Sequence, residues 1–159
     1  MRGKVTVVVV LIGSVLFYAW GFWFLYIQAS PDLRFNLNRQ AVPTALDDVK
    51  LLPAQVGDFK LTTGPTQTGP GLTAGYAPAD GTPFRFSVTP FVDHQSAMAI
   101  LNSASNGCKT TPHAEAKIPY VYYECQGKQG FTWINDRYRF DAETSDLELA
   151  LRFVNTYPY

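Results

Sequence analysis

The 159 residues carry 13 basic and 13 acidic side chains, and this balance excludes two broad classes. Zero net charge supplies no field to gather nucleic acid, and 14% aromatic residues against 16% charged is not the composition of a disordered chain. Once the apolar N-terminal run is set aside, roughly 120–130 residues remain, which is room for one domain.

Arg2 and Lys4 precede an uncharged run from Val5 to Ile27. As a helix, about 23 residues reach about 35 Å, enough to cross a hydrocarbon core of about 30 Å. A cleaved signal peptide has a shorter apolar region, about 7–15 residues, ending on small side chains. This run ends in Trp23, Phe24, Leu25 and Tyr26. The sequence therefore predicts a single-pass transmembrane helix over 5–27. A cytoplasmic tail covers 1–4, a connecting arm 28–48 and an extracytoplasmic domain 49–159, which places the protein in the cell membrane with its N-terminus inside. Aromatic residues crowd the second half of the run. An interfacial belt accounts for some of them. Gly13, Phe17 and Gly21, spaced four apart, also lie near one helix face, where small residues admit a second helix.

In the arm, Leu33, Phe35 and Leu37 alternate with Arg34, Asn36 and Asn38. That period of two fits a first strand or an extended segment laid on a partner. Thr44 to Asp47 resembles a capping box before a short helix that Pro53 ends.

In the domain, Asp58 to Thr63 reads as a strand and Gly64 to Gly71 as a loop. Leu72–Ala77 and Phe84–Thr89 form a hairpin around Asp80-Gly81. Phe84, Phe86 and Val88 alternate with Arg85, Ser87 and Thr89, so one face of that strand is core and the other is wet or touches something else. Asp93 caps a helix whose stripe is Ala97, Ile100, Leu101 and Ala104. Ile118 to Cys125 is a strand, and Gly130–Ile134 and Arg137–Ala142 form a hairpin around Asn135-Asp136. Ser145 to Glu148 reads as a capping box opening a second helix with Leu147, Ala150, Leu151 and Val154 on its buried side. The expected class is α+β, an antiparallel sheet in the order βββαβββα with both helices packed on it.

Cys108 and Cys125 are the two cysteines. In an exported domain they predict a disulfide closing a loop of about 17 residues, worth roughly 3 kcal/mol; two unrelated buried thiols are the alternative. His94 sits in the first turn of a helix and His113 in a polar loop. His113-Ala-Glu115 has the H-x-E spacing of zinc deaminases without the paired cysteines that motif needs. No H-E-x-x-H, C-x-x-C or G-x-S-x-G occurs. Asp136, Asp141 and Glu143 read as solvated turn carboxylates. No catalytic residue, metal ligand or cofactor is expected.

The stretches Leu52 to Phe59 and Phe131 to Asp136 resemble those of bacterial exported domains, a resemblance that carries no function over. The expected function is a non-catalytic accessory subunit of a bacterial membrane complex, such as an electron-transfer or photosynthetic one. Its partners are other subunits of the complex and the lipid bilayer, not nucleic acid. It is held through Gly13, Phe17 and Gly21 on the helix and Leu33, Phe35 and Leu37 on the arm. A membrane-tethered ligand-binding or sensory domain is the second reading.

Overall fold

The computed structural model of the chain describes residues 13–22, 34–43, 47–101 and 107–159. They fall in two compact units that divide between Arg34 and Phe35. Leu33, residues 44–46 of the expected capping box and Ala104 lie outside the described residues.

In the first unit the described element is a helix over 13–22, α1. Ten residues rise about 15 Å, half of what a bilayer core requires. Among the described residues no helix is long and apolar enough to cross a membrane. The expected transmembrane span over 5–27 is therefore not supported. With it go the single-pass anchor, the lipid contact and the inside-to-outside placement that depended on it. Residues 5–12 and 23–27 of that span lie outside the described residues.

The second unit is built on one eight-stranded antiparallel sheet in the order β1-β2-β3-β4-β8-β7-β6-β5. Its first four strands are β1 (Gln55–Val56), β2 (Phe59–Thr68), β3 (Gly71–Pro78) and β4 (Phe84–Pro90). Helix α2 (His94–Leu101) follows, then β5 (Lys109–His113), β6 (Tyr120–Cys125), β7 (Lys128–Asn135), β8 (Tyr138–Thr144) and helix α3 (Leu147–Thr156). Each half thus holds four strands rather than three, which corrects the βββαβββα order. The halves join where β4 pairs with β8, Phe86 opposite Ala142 and Val88 opposite Phe140.

The two helices cover opposite faces of the sheet. Helix α3 puts Ala150, Leu151, Phe153 and Val154 into a core shared with Phe59, Tyr76, Phe86, Trp133 and Phe140. Asp146 caps it, accepting from the amides of Glu148 and Leu149 at 3.0 and 3.2 Å. The cap thus lies one residue later than the Ser145 capping box predicts. Helix α2 packs Ala97 and Leu101 on Val121 and Ile134, which point to the other side; Ile100 lies at its exposed margin. The described part of the arm from Phe35 onward belongs to this unit. Phe35 is buried and stacks on Tyr120 at 4.2 Å between ring centres. Arg39 lies over the rings of Phe35 and Trp133, at 4.5 and 4.7 Å.

Candidate functional site

Antiparallel pairing turns the sheet face that carries α2 into rows of side chains running across the strands. One row reads Val121, Thr132, Asp141, Ser87 and Thr73 from β6 to β3. The next reads Tyr123, Gly130, Glu143, Arg85 and Gly75. Helix α2 rests on the Val121–Ile134 corner. Beside it these rows form the floor of a cleft of about 370 Å³. Cys108 and Cys125 line this cleft, joined as a disulfide with Cα atoms 4.7 Å apart.

The floor is a set of preformed ion pairs. Arg139 meets Asp141 with two nitrogens, Nε at 2.9 Å and Nη2 at 3.0 Å. Thr132 donates its hydroxyl to the same carboxylate at 2.5 Å. Glu143 Oε1 accepts from Arg85 Nη2 at 2.9 Å and from Lys128 Nζ at 2.8 Å. The Thr73 and Ser87 hydroxyls share one hydrogen bond at 3.0 Å. Tyr123 lies across Gly130; a Cβ there would sit 2.5 Å from the phenol oxygen, so only glycine lets this ring lie on the floor. Burial first, then the neighbouring Asp141 and Glu143, push the Tyr123 phenol well above its ordinary range, so it stays protonated.

The other notable surface is α1. Val15, Leu16, Phe17, Tyr18, Trp20 and Phe22 are each between 64% and 79% exposed. A Cβ added at Gly13 or Gly21 would meet nothing within 4 Å.

No known family model matches this chain, and no curated protein matches it. Among solved structures it is similar to the crystal structure of a GTP binding regulator from Thermotoga maritima, with 15% identity and a TM-score of 0.55, over 79% of this chain and 95% of that one. A likeness at that identity speaks for a shared fold and carries no activity across.

The residues expected to bind a partner part company here. Gly13, Phe17 and Gly21 lie on α1, with Phe17 exposed, whereas Phe35 is buried in the core of the second unit and Leu37 packs partly buried against that core. Asp141 and Glu143 are strand residues of β8, ion-paired and largely covered, while Asp136 does lie in the turn. His94 turns Nδ1 to the carbonyl of Asp136 at 2.7 Å, and His113 belongs to β5, its ring on Tyr120. The cleft residues that sequence reasoning missed are Tyr123, Arg139, Asp141 and Glu143. The signal for them was present, since Arg139, Asp141 and Glu143 alternate with Phe140 and Ala142 as Arg85, Ser87 and Thr89 alternate with Phe86 and Val88.

Proposed function

We propose that this chain is a non-catalytic accessory subunit of a larger protein complex, held there through α1. The carrying observation is the exposure of six large apolar side chains on ten residues of helix. Apolar surface of that density marks an interaction site, and covering each such side chain yields about 1.5–3 kcal/mol before ordering costs. The cleft supports a binding role over a chemical one. Its carboxylates are each ion-paired with an arginine, and the hydroxyl of Thr132 is engaged by Asp141, so no uncommitted base stands beside a nucleophile there. Because Phe35 and Leu37 are taken up by their own domain, attachment rests on the helix and not on the arm. The more specific form of the proposal, a complex that carries electrons or light energy, rests on the aromatic content of α1, and the absorption spectrum of the purified complex tests it.

Affinity purification of the tagged chain from its own cells is the experiment. The expected result is one or more partner polypeptides in fixed ratio, lost on Phe17→Asp and weakened by Gly21→Leu. Recovery of the unaltered chain without partners contradicts the proposal and leaves the cleft, read as a small-molecule site, as the better guide to function.

A further inference from the structure

We propose that the cleft on the α2 side of the sheet binds a small organic monocarboxylate, a site separate from α1 and independent of any partner held there. Its volume of about 370 Å³ lies within the range that small-molecule sites occupy, about 300–1,000 Å³.

Charge selects the sign of the ligand. Two cations, Arg85 and Arg139, line the cleft with two carboxylates, Asp141 and Glu143, and a third cation, Lys128, pairs with Glu143 from outside the lining. Arg139 and Asp141 cancel. Glu143 answers two cations with one oxygen, and one positive charge is left over at the Arg85 end. Exposure points the same way. The side chains of Arg85 and Lys128 are 60% and 58% exposed, those of Glu143 and Asp141 only 21% and 20%. An entering molecule meets the cations first and the anions from behind them. A single surplus charge suits one carboxylate; a phosphate monoester would overfill it. Arg85 presents the planar fork that grips a carboxylate with two hydrogens, and it gives only Nη2 to Glu143.

Hydroxyls supply the rest. The Thr73–Ser87 pair shares one bond between two O–H groups, so one hydrogen remains to donate. The Tyr123 phenol lies on the same floor, with Thr89 on the wall. Donors placed around one cation in a concave site fix both the sign and the orientation of the ligand.

The test is a titration of the full chain, followed by calorimetry and by amide chemical shifts, with acetate, lactate, gluconate and benzoate as probes. Glucose and inorganic phosphate serve as the neutral and multiply charged controls. The expected result is saturable binding of at least one of the four carboxylates, with shifts centred on Arg85, Ser87, Tyr123 and Glu143. Arg85→Met should weaken it at least tenfold and Lys128→Glu, which turns the surplus positive charge into a negative one, by at least as much. Tyr123→Phe, which keeps the ring over Gly130, should weaken it severalfold with the melting temperature unchanged. Four results overturn the proposal: none of the four carboxylates binds; glucose binds as well as they do; phosphate binds more tightly; or a folded Arg85→Met or Lys128→Glu variant binds as the original does. None of these outcomes bears on co-purification through α1, so the two ideas fail separately.

Discussion

Aromatic side chains hold the second unit together, and Tyr157 shows how. Its ring meets those of Phe86, Trp133, Phe140 and Phe153, and its hydroxyl donates to the carbonyl of Leu51 at 2.6 Å. Tyr157→Phe keeps the packing but leaves that carbonyl unanswered, so a loss of about 1–3 kcal/mol is expected in denaturant melts at neutral pH. The same change tests the pH dependence. Burial holds the phenols of Tyr76, Tyr123 and Tyr157 above their ordinary value, while unfolded tyrosine ionises near pH 10. Below that pH both states keep the proton and the stabilisation is complete. As the pH rises past about 10 the unfolded chain alone releases protons, so stability falls from there towards the raised folded values. Arg39 runs the other way, because burial lowers it to about 10; its charged form is disfavoured in the fold, and that cost is relieved as the pH rises. Three tyrosines outweigh one arginine, and stability should decline between about pH 10 and pH 12, less steeply in Tyr157→Phe. At neutral pH Arg39 stays charged between two rings and the carbonyls of Tyr157 and Tyr159, at 3.0 and 3.2 Å. Arg39→Ala should cost roughly 2–4 kcal/mol through the lost cation–π and charged hydrogen bonds.

Among the elements, those with a buried face were legible and the edges were not. Phe84, Phe86 and Val88 declare β4, and Ala150, Leu151 and Val154 declare α3, because burial imposes a period of two or 3.6 on apolar residues. Strands β1 and β5 escape this rule. The first has two residues, and the second, Lys-Thr-Thr-Pro-His, sits at the sheet edge, where proline is tolerated and no apolar alternation is needed. The glycine-rich loop predicted over 64–71 is instead the far end of β2 and its turn into β3. Its residues are exposed on both sides and its register slips twice, between Leu61 and Thr63 and between Thr63 and Thr66. Such bulges, with Pro65, blunt an open edge and erase the strand signal. Helix α3 offers two tests. Phe153→Ala should cost about 3–5 kcal/mol, since the ring is fully buried. Asp146→Ala should cost about 0.5–2 kcal/mol by freeing the amides of Glu148 and Leu149. Thermal or denaturant melts of the two variants check both.

At the scale of the molecule, the sequence reports which residues face a core but not which face of the sheet each helix covers. Both stripes predict a helix on a sheet; only the fold places α2 and α3 on opposite sides and leaves half of one face open as the cleft. Its charged residues come from β4 and β8, up to 58 positions apart, and read singly as surface charge. The apolar N-terminal run had the opposite fate. Its composition invited a membrane span, yet the described helix covers 13–22 and no described helix can cross a bilayer. What stands in α1 is an exposed apolar surface suited to a partner protein. The most direct measurement places a photo-reactive amino acid at Phe17, with a control at Thr66 on the exposed end of β2, and irradiates cells that carry the chain. The expected result is a covalent adduct from position 17 to a second, identifiable polypeptide, and no such adduct from position 66. Irradiation that leaves position 17 without a polypeptide partner, or that joins it only to copies of this chain, would overturn the assignment of α1 to a partner protein.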